Sequence, residues 1–119
     1  MIIDIKVMLK DESGQPFMGI GLVWLLAGID EHHSISQAAK QMDLSYPKAL
    51  RMLQSVERGL GHPVVARHRG GSERGGAELT PLGRDFLRRY DGMQKRIKRF
   101  AAEEFKKTFA KPLASGGAD

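Results

Sequence analysis

Residues Ser34 to Gly61 read SISQAAKQMDLSYPKALRMLQSVERGLG, and His62 to Gly83 continue HPVVARHRGGSERGGAELTPLG. The spacing of apolar residues in the first stretch predicts two short helices joined by a tight turn. Ser34 and Gln37 form an S-x-x-Q capping pattern, which opens a helix carrying Ala38, Ala39 and Met42. Small alanines let a second helix cross closely. Asp43-Leu44 makes the turn, Ser45 is a ready N-cap, and Pro47 falls in the next helix's first turn, where a missing N–H costs nothing. In that helix Ala49, Leu53, Val56 and Leu60 share one face and Lys48, Arg51, Ser55 and Arg58 another. One face is core; the other offers cations and hydroxyls. Leu50, at the edge of that face, is expected to pack against the preceding helix. Gly59 and Gly61 punctuate the end.

The second stretch predicts a hairpin. Val64 to Arg67 is a short strand, HRGGSERGG a loop with four glycines and two further arginines, and Ala77 to Thr80 the return strand. Thr80 then caps a helix opening at Pro81 and reaching about Phe109. Its apolar positions are Leu82, Phe86, Tyr90, Met93, Ile97 and Phe100, a spacing near that of a seam between packed helices.

Upstream, Ile3, Ile5, Val7 and Leu9 alternate with Asp4, Lys6, Met8 and Lys10, the period of a half-buried strand. Asp11 to Pro16 is turn chemistry. Phe17 to about His32 reads as a helix that is apolar nearly all round and therefore buried, its glycines (Gly19, Gly21, Gly28) allowing close helix–helix approach. The expected fold class is mainly α with a small β wing. It is a winged helix-turn-helix with an N-terminal strand and a long C-terminal dimerisation helix (about 81–109), in one domain over 1–110, with a flexible tail at 111–119.

Charge follows the same division. The chain of 119 residues carries a formal +5. Residues 1–44 hold three Lys/Arg against six Asp/Glu, while residues 45–111 hold sixteen against seven. Clustered cations suit a polyanion. With no cysteine there is neither a disulfide framework nor a thiolate metal site, which fits a reducing cytoplasm. The longest apolar run, Phe17 to Ile29, is too short to span a bilayer, and no signal peptide is evident, so no membrane partner is expected. His32 and His33 are adjacent on a helix and point apart, so no metal is expected; His62 reads as a loop residue and His68 as DNA-facing. GGSERGG lacks the G-K-[ST] of a phosphate-binding loop, and no Ser/His/Asp arrangement is evident, which weighs against an enzyme and assigns no cofactor.

At these residues the chain resembles the N-terminal DNA-binding domain of ModE-type, molybdate-responsive bacterial regulators. The SIS-x-AA opening, SY-x-x-A and GG…GGA-x-LT-x-x-G carry that likeness. The S-x-P-x-x-x-R run from Ser45 to Arg51 and the E-x-x-LG ending from Glu57 to Gly61 are similar to the LysR-type helix-turn-helix. The resemblance covers roughly Ile3 to Phe109. It implies a DNA-binding fold and dimerisation. The sequence stops after the long helix, so a stand-alone protein without the molybdate-binding modules is expected.

The function expected is a sequence-specific double-stranded DNA-binding transcriptional regulator, a homodimer on an inverted repeat in the bacterial cytoplasm. The candidate DNA contacts are Ser45, Tyr46, Lys48 and Arg51 on the reading helix, Arg69 and Arg74 in the wing, and Ser34 and Gln37 at the preceding helix start. The candidate dimer contacts are Phe86, Tyr90, Met93, Ile97 and Phe100, with Leu22 and Leu26. No small-molecule effector is assigned. A protein-interaction adaptor and an oxyanion- or molybdate-binding module are the alternatives.

Overall fold

The structure, a computed structural model, describes residues 1–68 and 76–115. In chain order the elements are β1 (Leu9–Lys10), β2 (Pro16–Met18), α1 (Ile20–His32), α2 (Ile35–Gln41), α3 (Tyr46–Leu60), β3 (Val65–Arg67), β4 (Ala77–Leu79) and α4 (Pro81–Thr108). The strands form two separate antiparallel hairpins, β1 with β2 and β3 with β4. The mainly helical, winged architecture is the one the sequence predicts.

The N-terminal region departs from expectation in two ways. Ile5, Val7 and Leu9 are half-buried between exposed Asp4, Lys6, Met8 and Lys10, so the period of two holds from Ile5 on, while Ile3, expected on the same face, is exposed. Only Leu9–Lys10 forms a ladder, however, because a partner strand exists only where the chain turns back. That partner, β2, takes Phe17 and Met18 out of the expected helix, which starts at Ile20 after an extended Gly19. The turn between the strands is held by Asp11, whose Oδ1 accepts from the amides of Ser13 and Gln15, both at 2.9 Å, and from the Ser13 hydroxyl at 2.7 Å. These bonds, the Ser13 hydroxyl first, hold the Asp11 carboxyl below the ordinary carboxylate range.

The interior forms around α1. Leu25, Leu26 and Ile29 are fully buried, joined by Ala38 and Ala39 of α2, Ala49, Leu53 and Val56 of α3, and Ala77 and Leu79 of β4. The helix is not buried all round, as its composition suggested: Trp24 stays 59% exposed. Alanines at the crossing do what their size predicts. A Cβ on Gly28 would sit 2.9 Å from that of Ala38, so α1 and α2 meet at a distance that only glycine permits. The caps are also as read. Ser34 Oγ accepts from Gln37 N at 3.1 Å, Ser45 Oγ from Lys48 N at 3.2 Å, and Thr80 Oγ1 from Gly83 N at 3.0 Å. Asp43 takes a left-handed conformation (φ 55°) in the turn between α2 and α3.

The wing root is pinned to the start of α4. Thr80 N donates to Val64 O at 2.9 Å, and Thr80 Oγ1 donates to Pro63 O at 2.8 Å. Gly83 passes so close that a Cβ there would lie 2.2 Å from Val64 O. Backbone cannot step aside as a flexible side chain would. Gly83→Ala should therefore destabilise the fold by about 1–3 kcal/mol, the overpacking penalty exceeding the roughly 1 kcal/mol that alanine gains in a helix. Urea denaturation checks it; unchanged or raised stability would contradict the close approach.

Candidate nucleic-acid interface

The geometry of α3 follows from which of its faces is committed to the core. Ala49, Leu53 and Val56 are buried against α1 and α2. That fixes the roll of the helix and turns Ser45, Tyr46, Lys48, Arg51 and Arg58 outward. Gln54, which sequence reasoning passed over, is exposed beside Arg51. Its signal was the same spacing, masked by attention to charge. Ser55 is only half-exposed, and Leu50 packs against the core as expected. Among the described residues no carboxylate pairs with Lys48, Arg51 or Arg58. The face therefore offers the lone guanidinium of Arg51, an ammonium, a phenol and an amide from one rod, while the Arg58 charge lies near enough to Asp11 to help lower its pKa. A guanidinium fork matches two acceptors on a guanine edge, and an amide matches adenine.

A second missed residue holds the rod to the wing. Glu57 Oε2 accepts from Val64 N at 2.8 Å and Val65 N at 3.3 Å, joining the last turn of α3 to the start of β3. The sequence offered this glutamate only as part of the E-x-x-LG ending; a bond from the last turn of a helix to a residue seven positions on leaves no periodic trace. The wing itself pairs Val65 with Leu79, Ala66 with Glu78 and Arg67 with Ala77. Arg67 is exposed at its tip-ward end, and His68 Nε2 lies 3.0 Å from Glu78 Oε1 across the hairpin. The expected wing contacts Arg69 and Arg74 lie outside the described residues. Ser34 is half-buried with its Oγ engaged as a cap, and Gln37 is exposed one turn into α2. His62 is exposed in the loop after α3. His33 caps α1 in a left-handed conformation (φ 54°), and its carbonyl accepts from Ala77 N at 2.9 Å. Among the described residues no three His, Asp or Glu side chains gather as a metal site would require.

The expected dimer contacts divide into two groups. Leu22 and Leu26 lie in the protomer's own core, so they present no surface to a second chain; the correction follows from α1 being central rather than peripheral. Tyr90 is likewise covered, its hydroxyl donating to Val7 O beneath the N-terminal segment. Burial, followed by the nearby Asp91 charge, raises its pKa above the ordinary tyrosine value. Phe86 and Met93 pack partly on the core. Ile97 and Phe100 face out at 40% and 58% exposure. The apolar stripe of α4 is thus covered by the body from Phe86 to Met93 and open at Leu82 and from Ile97 onward. Arg84 pairs with Asp30 at 2.8 Å, Arg89 with Asp85 at 3.0 Å and Lys95 with Asp91 at 2.9 Å along its flanks. No described helix is long and apolar enough to cross a membrane.

A family model described as "Bacterial regulatory helix-turn-helix protein, lysR family" matches residues 23–84, from α1 through the wing to the start of α4. The chain belongs to this family. It is also 40% identical over 77 residues to the molybdenum-pterin-binding protein MopB of Rhodobacter capsulatus, covering 65% of this chain and 28% of that protein. It is 34% identical over 70 residues to the molybdenum transport protein ModE of Azotobacter vinelandii, covering 59% and 26%. The chain therefore spans about a quarter of the length of these relatives. Among solved structures, the CbnR DBD–DNA complex matches with TM-score 0.53 at 28% identity, over 78% of this chain and 97% of that one. Full-length CbnR, a LysR family transcriptional regulator, matches with TM-score 0.57 at 26% identity, over 75% and 29%. Both resemblances read from the sequence, to ModE-type and to LysR-type helix-turn-helix domains, are found.

Glu57→Ala strips the acceptor from two wing amides. A hydrogen bond to a charged group contributes about 1.5–3 kcal/mol, so unfolding free energy should drop within that range while helix content by circular dichroism stays constant. A stability matching the parent would show that α3 and the wing are not coupled through this carboxylate.

Proposed function

We propose that the protein is a sequence-specific double-stranded DNA-binding regulator of transcription, acting as a homodimer on an inverted repeat in the bacterial cytoplasm. One observation carries the reading: α3 is locked to the core along Ala49, Leu53 and Val56 and offers Tyr46, Lys48, Arg51 and Gln54 outward, with no carboxylate among the described residues paired to Lys48 or Arg51. The related CbnR domain, whose structure is a complex with DNA, supports the polyanion as partner. Ser45, Tyr46, Lys48 and Arg51 enter the major groove, with Arg51 gripping a guanine edge. Ser34 and Gln37 meet phosphate from the preceding helix, and Arg69 and Arg74 reach the backbone or minor groove from the wing. Phosphate contacts set orientation; base edges set sequence.

Dimerisation is supported by the open half of the α4 stripe. A 28-residue helix is about 42 Å long. Ile97 and Phe100 lie where the body no longer covers it. A second α4 packed there closes a two-fold dimer and sets two reading helices about one helical turn of DNA apart. Regulation then consists of occupying an operator and altering promoter access.

Selection of genomic fragments by the purified protein should yield a palindromic consensus. Against that sequence, Arg51→Ala should weaken binding about 5- to 150-fold per half-site and relax preference at one base position in each. Unchanged affinity and preference would remove Arg51 from the readout. Neutralising Arg69 and Arg74 together should flatten the slope of log K against log salt by about one unit per lost phosphate contact. An unaltered slope would leave the wing without a role. Ile97→Glu with Phe100→Glu should convert a sedimenting dimer to monomer; a parent that is already monomeric at micromolar concentration contradicts the dimer.

A further inference from the structure

The first eight residues form an unfinished strand. Ile5 and Val7 lean on the body while Asp4, Lys6 and Met8 are exposed, yet among the described residues 1–8 no ladder joins this segment to any other. The Val7 carbonyl is taken by the Tyr90 hydroxyl, so the odd-numbered peptide groups face α4. Successive residues of an extended chain direct their N–H and C=O groups to opposite edges. The edge carrying the groups of Asp4 and Lys6 therefore points away from α4 and is unpaired. An apolar strand edge left open is a template for another strand.

The sequence along that edge is complementary to itself. In an antiparallel pairing of two copies centred on Ile5, Ile5 faces its own mate and Ile3 faces Val7. Asp4 then faces Lys6, twice by symmetry, and exposed Ile2 faces exposed Met8. Every charge meets its opposite and every large apolar residue meets another. Shifting one copy by two residues puts Asp4 opposite Asp4 or Lys6 opposite Lys6. We propose that this segment is a dimer contact in which the Asp4–Lys6 edge pairs antiparallel with the same edge of a second copy about a two-fold axis at Ile5. The proposal rests on the homodimer reading and adds to it an interface independent of the far half of α4. The groove beneath the segment, about 460 Å³, is lined by Ile5, Trp24, Tyr90, Gln94 and Lys98, so an axis at Ile5 runs beside the Tyr90–Gln94 face of α4 rather than the face that carries Ile97 and Phe100. It also gives exposed Trp24 a neighbour from the second chain.

The chain has no cysteine, so a single introduced thiol reports the register. With Asp4 and Lys6 exchanging hydrogen bonds, Ile5 and its mate form a non-hydrogen-bonded pair with Cα atoms about 4.5 Å apart, within disulfide range. Ile3 and its own mate stand about 13 Å apart, four residues of strand, and cannot be bridged. The full chain carrying Ile5→Cys is expected to oxidise to a covalent dimer that Ile3→Cys does not form. Charge provides the second readout, should Ile5→Cys disturb the fold. Asp4→Lys should raise the dimer dissociation constant about 5- to 30-fold, from two like-charge pairs, and adding Lys6→Asp should restore it. If the parent sediments as a dimer while Ile5→Cys and Ile3→Cys cross-link equally, or the charge reversal is not rescued, the strand contact is wrong and the α4 contact stands. If the parent is a monomer at every concentration, both fall.

Discussion

Everything in this fold depends on α1 being a buried hub. Leu25, Leu26 and Ile29 lose all contact with water, and α2, α3, the wing strand β4 and α4 each lean on that helix. Burying a side chain of that size contributes about 1.5–3 kcal/mol, so the hub supplies much of what holds a small domain together. It also determines orientation. With Ala49, Leu53 and Val56 seated on the hub and on α2, α3 has no freedom to roll, and Lys48 and Arg51 cannot turn inward. The face proposed for DNA is the remainder left over when the core face is satisfied.

The same economy explains the glycines and short polar residues. Gly28 lets α2 approach α1, and Gly83 lets α4 approach β3. Ser34, Ser45 and Thr80 each close a helix start with one hydroxyl. Glu57 then spans the loop to fasten the wing to the reading helix. These bonds tie α3 to the paired strands of the wing. Pre-set geometry of this kind spares a ligand the entropy of ordering either element.

Legibility in the sequence followed the range of the interactions. Helix caps, the turn at Asp43 and the two faces of α3 are set by residues within one or two turns of each other, and they were readable. The two wing strands were readable because they flank one loop. What escaped depended on distant partners. β2 formed because β1 needed a mate, and Phe17 looked helical only as part of an apolar run. Leu22 and Leu26 looked like contact residues until α1 proved central, whereas Trp24, on the same helix, kept an open face. Gln54 shared the spacing of Arg51 but carries no charge to mark it, and Glu57 showed its role only through its bonds to Val64 and Val65. Half of α4 could be assigned to the body only once the N-terminal segment was seen lying across Tyr90.

The most direct test of the central claim is a residue-by-residue footprint of the protein on its selected duplex, by amide chemical-shift changes during a titration. The account predicts perturbations concentrated from Ser45 to Arg58 and in the wing, with the buried hub of α1 nearly silent. Perturbations that spare α3 and gather on another surface would contradict it.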